Sequence, residues 1–120
     1  MNLKEIAQEL VAGCREDRAK ENLEKLYAPD AVSVEAMDMQ GMGRETHGIE
    51  GIRGKHDWWE SAHEVSGASV SDPFLHGEDR FAVIFEVQGK VKDSGETFDM
   101  KEIGVYHVAD GKIVREEFFY

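Results

Sequence analysis

Cysteine, basic residues and long apolar runs are all scarce in this sequence. Its single cysteine, Cys14, excludes an internal disulfide and fits a reducing compartment, so we expect a cytoplasmic protein. No apolar run approaches the roughly 20 residues of a membrane-spanning helix, and the N-terminal residues contain no signal-peptide core. Because 120 residues without a polar linker or an internal repeat are typical of one domain, we predict a single domain over residues 1–120.

The charge balance is strongly acidic. The chain has 14 Lys and Arg against 25 Asp and Glu, for a formal net charge of −11. Since nucleic acids and anionic membranes are bound by clustered basic residues, we expect neither as a partner. The histidines and carboxylates lack the H-x-x-x-H or H-E-x-x-H spacing of metal sites, and no phosphate-cradling glycine loop or G-x-S-x-G motif is present. We therefore predict no metal and no cofactor.

The C-terminal third predicts a meander of three antiparallel strands. Apolar and polar residues alternate over residues 80–91, 98–108 and 113–120, and D-S-G and D-G turn signals separate these segments. The N-terminal half predicts helices over about residues 3–14, 17–27 and 48–61, with short strands at 31–36 and 63–71 and a loop at 37–46. Cys14 lies on the apolar stripe of the first helix, which favours a packed thiol over a nucleophile. This order predicts an α+β fold, a mostly antiparallel sheet with helices on one face.

Strand alternation assigns the meander side chains to two faces. If Gly111 is the left-handed residue of a three-residue turn, Glu116 lies opposite Gly104 and Phe118 lies opposite Glu102. The face under the helices then combines aromatic residues with carboxylates: Phe81, Val83, Phe85, Val87, Met100, Glu102, Tyr106, Val114, Glu116, Phe118 and Tyr120. The other face carries an apolar patch rimmed by charges, which predicts a homodimer packed sheet to sheet: Ala82, Ile84, Ile103, Val105, Ile113 and Phe119.

Glu102 is the leading candidate for chemistry, because an ionised carboxylate on an apolar surface must be hydrogen-bonded, neutral or next to a cavity. A carboxyl of raised pKa can act as general acid, general base or hydrogen-bond donor to a carbonyl, with His56 as its partner in a proton relay. The alternative is that Glu102 bonds Tyr106, His56 or the backbone and only orders the core. For Glu116, predicted nearer the rim, the structural role is favoured.

Three segments resemble the SnoaL-like polyketide cyclase branch of the nuclear transport factor 2-like superfamily. They are L-Y-A-P-D-A-V-S-V-E at residues 26–35, H-G-I-E-G-I at 47–52 and V-A-D-G-K-I-V-R-E-E-F-F-Y at 108–120. The superfamily includes ketosteroid isomerases and limonene epoxide hydrolase. The resemblance covers nearly the whole chain and implies a cone-shaped, cystatin-like fold, in which a curved sheet wraps three helices around a deep apolar pocket, usually as a dimer through the sheet.

Only part of the superfamily's known site residues is present in this sequence. Glu35 matches the general-base carboxylate of ketosteroid isomerases, whereas Val11 and Met100 replace their two hydrogen-bond donors. The water-activating residues of limonene epoxide hydrolase are also absent. The tract H-D-W-W-E-S-A-H-E-V, residues 56–65, resembles a SnoaL-like subgroup and places Trp59 at the pocket wall. Either the strand that ends at Tyr120 completes the fold, or a pocket-closing tail of some relatives is missing here.

The sequence therefore predicts a protein with a pocket for a small apolar ligand. As an enzyme it would catalyse a cofactor-free isomerisation, cyclisation or dehydration, with Glu102, His56 and Glu35 as the catalytic candidates. The predicted ligand-binding residues are Trp59, Phe85, Met100, Tyr106, Glu116 and Phe118. The alternative is a non-catalytic domain that binds a ligand or another protein, since a fold does not imply a function.

Overall fold

The computed structural model describes residues 1–38 and 41–120, and these form three helices and seven strands. The helices are α1 (Leu3–Arg15), α2 (Glu21–Leu26) and α3 (Ile49–Ala62). The strands are β1 (Tyr27–Val34), β2 (Glu45–His47), β3 (His63–Val70), β4 (Phe74–His76), β5 (Arg80–Val91), β6 (Thr97–Ala109) and β7 (Lys112–Phe119). None of the helices in these ranges is long and apolar enough to cross a membrane.

The strands form one sheet in the order β2-β1-β7-β6-β5-β3, and β4 pairs with β5. Among the strands of the described residues, only the β1–β7 pair is parallel. The predicted α+β fold with a mostly antiparallel sheet is confirmed. Apolar residues of the helices and of one sheet face pack together as the core, and we call this the inner face: Ile6, Leu10, Leu23, Leu26, Ile52, Phe81, Val83, Tyr106 and Ile113.

The helix α1 begins at a capping box that the apolar pattern did not reveal. The Asn2 side chain accepts a hydrogen bond from the Glu5 backbone N–H at 2.9 Å, and the Glu5 carboxylate accepts one from the Asn2 N–H at 2.9 Å. Two of the four N–H groups that a helix start leaves without partners are thereby satisfied. The predicted apolar stripe follows, and Ile6 and Leu10 on it are buried.

The predicted register between the last two strands is wrong. Tyr106 lies opposite Glu116, and Gly104 lies opposite Phe118. The cause is a two-residue turn, in which Asp110 and Gly111 both have positive φ, of 52° and 73°. Both central residues of a type I′ hairpin turn need this conformation, which Gly adopts freely and Asp tolerates.

A β-bulge follows this turn and restores the inward direction of Glu116. Val108 pairs with Ile113 and His107 with Arg115, so Val114 has no opposite residue. One extra residue reverses the alternation of a strand, because successive side chains point to opposite faces. Without the bulge, Arg115 would lie opposite Tyr106. Ile113 lies before the bulge, and the two-residue turn alone sets it opposite Val108, on the same face as Tyr106. It lies in the core with none of its surface exposed, and the prediction that it lies on the outer face is wrong.

Three further boundaries differ from the prediction. β1 begins at Tyr27, which the helical pattern had assigned to the second helix. The predicted loop at 37–46 contributes β2, and the short strand β4 was not predicted. Residues 39 and 40 of that loop lie outside the described residues. Strands of three residues carry too little alternation to be recognised from a sequence.

Candidate active site

A cavity of about 150 Å³ lies between the three helices and the inner face of β5, β6 and β7. This is the size of an apolar cavity that holds one benzene molecule. The apolar part of its wall comprises Leu10, Cys14, Ala19, Phe85 and Phe118. Its polar part comprises Asn22, Tyr27, His56, Glu102, Tyr106 and Glu116. The cavity therefore combines an aromatic wall with two carboxyl groups.

Gly104 lets the aromatic side chains of this wall meet. A Cβ atom at this position would lie 3.0 Å from the Tyr106 ring, 3.1 Å from Phe85 and 3.2 Å from Phe118. Such distances are shorter than ordinary van der Waals contacts, so any larger residue would displace the rings. Glycine in the middle of β6 is thus a packing requirement of the cavity.

Glu116 is buried at the base of the cavity, with 2% of its surface exposed. One carboxylate oxygen accepts a hydrogen bond from the Tyr27 hydroxyl, and the other accepts one from the Ser33 hydroxyl at 2.6 Å. A buried carboxylate is tolerated when such donors replace water. The prediction that Glu116 lies near the rim is wrong, because the bulge in β7 turns this residue into the core.

The hydrogen-bonded chain continues from Ser33 to α3. Lys55 Nζ donates to the Ser33 hydroxyl and forms an ion pair with Glu35 Oε1 at 2.8 Å. The Tyr120 hydroxyl donates to the other Glu35 oxygen at 3.1 Å. Ser33 thus accepts from a cation and donates to a carboxylate, which makes the chain of hydrogen bonds directional. The structure engages Glu35 in this network, and Glu35 is not among the residues that line the cavity.

Glu102, His56 and Tyr106 face the cavity without such partners. Among the described residues, none forms a hydrogen bond or an ion pair with these three side chains. Burial raises the pKa of Glu102 from 4.5 to about 7, and the charges of Glu35 and Glu116 add to this shift. Lys55 opposes it. Near neutral pH, Glu102 is consequently divided between its protonated and ionised forms.

His56, Tyr106 and Cys14 at the cavity are neutral near neutral pH. Burial lowers the pKa of His56, although the Glu116 charge acts in the opposite direction. Burial and the Glu116 charge raise the pKa of Tyr106 well above its usual range, so its hydroxyl keeps its proton. Burial likewise raises the pKa of Cys14 to about 11. Its thiol is therefore protonated at neutral pH and is a poor nucleophile.

Two residues predicted at the pocket lie elsewhere. Trp59 stacks on His63, with ring centroids 4.4 Å apart, and makes an edge contact with Phe98 at 6.2 Å. Met100 lies opposite Val87, and neither Trp59 nor Met100 belongs to the described lining of the cavity. Trp59 belongs to the last turn of α3 and packs against the start of β3 and against Phe98 of β6.

Sequence reasoning missed Tyr27, Ser33 and Lys55. Ser33 lies beside Glu116 through the parallel pairing of β1 with β7, and this pairing has no local signal. The position of Lys55 was only weakly indicated by the sequence. Lys55 follows the buried Ile52 by three positions and therefore lies on the same side of α3. Within residues 1–38 and 41–120, no group of three or more His, Cys, Asp or Glu side chains could hold a metal ion.

The chain belongs to the SnoaL-like domain family, whose sequence profile matches residues 1–120. A protein from Mesorhizobium loti, provisionally named a SnoaL-like polyketide cyclase with carbohydrate phosphatase as a second name, is 38% identical. The match covers 100% of both chains with a TM-score of 0.91. No protein of curated function matches the sequence significantly.

More distant structures share the fold. A Catenulispora acidiphila protein with a ketosteroid isomerase-like fold, in complex with trimethylamine, is 18% identical. That match covers 97% of this chain and 85% of the other, with a TM-score of 0.69. A Mycobacterium tuberculosis protein in complex with estradiol-17beta-hemisuccinate is 19% identical. That match covers 100% of this chain and 95% of the Mycobacterium tuberculosis chain, with a TM-score of 0.73.

Proposed function

We propose that the protein binds a small, largely apolar molecule in the cavity and catalyses a cofactor-free proton transfer on it. The observation that carries this proposal is Glu102, a cavity carboxyl group without a hydrogen-bond or ion-pair partner among the described residues, whose pKa of about 7 lies near neutral pH. General acid–base catalysis is most effective at such a pKa, because both protonation states are populated. Isomerisation, cyclisation and dehydration are reactions that one such group can catalyse.

Each cavity residue has a role in this reaction. Ionised Glu102 removes a proton from the carbon next to a substrate carbonyl, and protonated Glu102 returns that proton at another carbon. The Tyr106 hydroxyl donates a hydrogen bond to the oxygen on which negative charge develops. Neutral His56 is the second candidate for moving the proton. Glu35 remains a candidate base, although its ion pair with Lys55 would have to open before it reaches a substrate.

The ligand complexes of the two distant relatives support ligand binding by this fold, without naming a substrate for this chain. The cavity wall supports a compact ligand, because about 150 Å³ accommodates one ring. The whole chain, taken as one domain, would act in the cytoplasm, as its single cysteine suggests, and without a nucleic-acid partner, as its acidic charge suggests.

An assay of proton exchange tests the proposal without knowledge of the natural substrate. Cyclohexanone is incubated with the protein in D₂O, and NMR follows the loss of its protons next to the carbonyl. Wild type should accelerate this exchange, and Glu102→Gln should reduce the acceleration by at least about 100-fold. Glu86→Gln is the matched control, because Glu86 lies on the neighbouring strand with its exposed side chain directed away from the cavity.

Two outcomes would count against catalysis by Glu102. Equal exchange by wild type and Glu102→Gln would remove this carboxyl from the mechanism. Saturable binding of cyclohexanone without any accelerated exchange would favour the alternative function, a non-catalytic ligand-binding domain.

A second proposal concerns the outer face of the sheet. Phe74, Ile103 and Phe119 are 57%, 42% and 52% exposed there. Ile84, Ile103 and Phe119 lie side by side across β5, β6 and β7. Apolar rows of this kind mark interaction surfaces, and we infer that a second copy of the chain covers this one.

Sedimentation analysis of wild type and Phe119→Glu tests the dimer. The wild type should sediment as a dimer and the variant as a monomer, because burying a charge in the apolar row is costly. A monomeric wild type would favour the alternative, a protein-interaction domain with a different partner.

A further inference from the structure

The charges around the cavity are unbalanced. Two carboxyl groups, of Glu102 and Glu116, belong to its wall, and no Lys or Arg does so among the described lining residues. Lys55, a cation beside this wall, is already engaged by Ser33 and Glu35. An anionic ligand would meet like charge in a site of low dielectric constant, which costs more than the same encounter in water.

The aromatic residues of the wall favour a positive charge. Tyr27, Phe85, Tyr106 and Phe118 all line the cavity. The faces of aromatic rings attract cations, most strongly where water is excluded. The structure contains one such contact at this wall, because Lys55 Nζ lies 5.2 Å from the centre of the Phe118 ring.

Two oxygen-bearing groups at the wall lack a donor. Tyr106 is 3% exposed, and its hydroxyl has no hydrogen-bond partner among the described residues. Glu102 also has none there. An alkylammonium group carries up to three N–H donors and no acceptor, so one such group has enough donors for both oxygens. A neutral alcohol can donate to only one of them.

We propose that the ligand of this cavity is a small amine in its cationic form, with a body of about one six-membered ring. The amine lies against the aromatic wall and donates to Glu102 and Tyr106. This inference rests on the ligand site of the proposed function and not on Glu102 acting as a base, because Glu102 and Tyr106 here accept hydrogen bonds from the ligand. It adds a charge requirement, which acid–base chemistry at Glu102 does not by itself impose.

Binding of such a cation is linked to pH. The charged groups that act on Glu102 are Glu35, Glu116 and Lys55, of which only Lys55 is cationic. His56 and Tyr106 also face the cavity and are neutral near neutral pH. The bound cation favours ionised Glu102 and therefore lowers its pKa, so binding releases a proton. With a pKa of about 7 in the free protein, the affinity should rise by up to about tenfold from about pH 6 to about pH 8, because the ionised fraction of Glu102 rises by that factor.

A ligand series that varies only in charge tests the inference on wild-type protein. Cyclohexylamine, cyclohexanol and cyclohexanecarboxylate share one ring and are cationic, neutral and anionic at neutral pH. Calorimetric titration should give the amine at least about tenfold tighter binding than the alcohol, because its contacts are charge-assisted. The carboxylate should not bind.

Variants locate the effect at the cavity. Glu102→Gln should lose about tenfold in affinity for cyclohexylamine and should lose the pH dependence, with little change for cyclohexanol. Glu86→Gln carries the same charge change on the outer face and should leave both affinities unchanged. A loss of amine affinity in both variants would indicate a net-charge effect and would overturn the assignment to the cavity.

The failures of the two proposals are distinguishable. If cyclohexanol binds as tightly as the amine, or if the carboxylate binds best, the cation requirement is overturned and the proposed ligand site stands. If none of the three ligands binds, both the amine inference and the ligand site fail.

Discussion

Glu116 and Glu102 both line the cavity from the inner face of the sheet, yet their surroundings differ. Glu116 accepts hydrogen bonds from Tyr27 and Ser33 and is almost fully buried. Glu102 is less buried, has no partner among the described residues, and has a pKa raised to about 7. Burial alone therefore does not assign a role to a carboxyl group. Its donors decide whether it organises the core or is available to a ligand.

The largest expected loss of stability comes from removing Glu116. We call Glu116 and its donors Tyr27 and Ser33 the satisfied site. Glu116→Ala should lower the free energy of unfolding by about 3–5 kcal/mol, because it leaves a cavity and two buried hydroxyl groups without their acceptor. Urea denaturation measures this change. Glu117→Ala, the neighbouring residue on β7, should cost less than about 1 kcal/mol, since its pair with Arg115 is partly exposed. Similar losses in the two variants would contradict the structural role of Glu116.

Removing the charge of Glu102 should have the opposite effect and stabilise the protein, by an amount that depends on pH. The pKa of Glu102 is higher in the folded state than its ordinary value of 4.5, so the folded protein binds the proton more tightly. Stability therefore falls as the pH rises from about 4.5 to about 7 and is lowest above that window. Glu102→Gln should remove this loss, which amounts to at most about 3 kcal/mol at alkaline pH.

Unfolding experiments on wild type and Glu102→Gln at about pH 4.5 and pH 8 measure this difference. The variant should be more stable than wild type only at the higher pH. An equal difference at both values would show that Glu102 does not titrate in this window.

Lys55 connects the sites of Glu116 and Glu102. It donates a hydrogen bond to Ser33, which in turn donates to Glu116, and it also lowers the pKa of Glu102. Lys55→Met should destabilise the protein by about 2 kcal/mol, since Glu35 loses a partly buried partner. It should also move the titration of Glu102 to higher pH. NMR of a carboxyl-labelled sample follows that titration, and an unchanged midpoint would contradict the electrostatic coupling.

The smallest effect is expected for a single donor of the satisfied site. Tyr27→Phe removes the hydroxyl that donates to Glu116 and keeps the ring, so the loss should be about 1–2 kcal/mol. Thermal unfolding measures it. Because Ser33 still donates to the other oxygen, Glu116 stays buried, and a loss as large as that of Glu116→Ala would show that the two donors are not independent.

Much of the fold was predictable because its signals are local. Alternation over β5 and β6 and the apolar stripe of α1 depend on residues a few positions apart, and the structure confirms these elements. The register of β7 was not predictable. An Asp-Gly pair is compatible with turns of two or three residues, and nothing in the pattern marks the bulge at Val114.

The candidate site divides in the same way. The amino-acid sequence by itself determined that Glu102 stands in an apolar, aromatic row, since alternation within one strand assigns its face. Only the tertiary structure decided which carboxyl group receives donors. Tyr27 and Ser33 reach Glu116 across 89 and 83 residues of chain. Contacts over such separations depend on how β1 pairs with β7 and where α3 lies on the sheet, and no local periodicity encodes either arrangement.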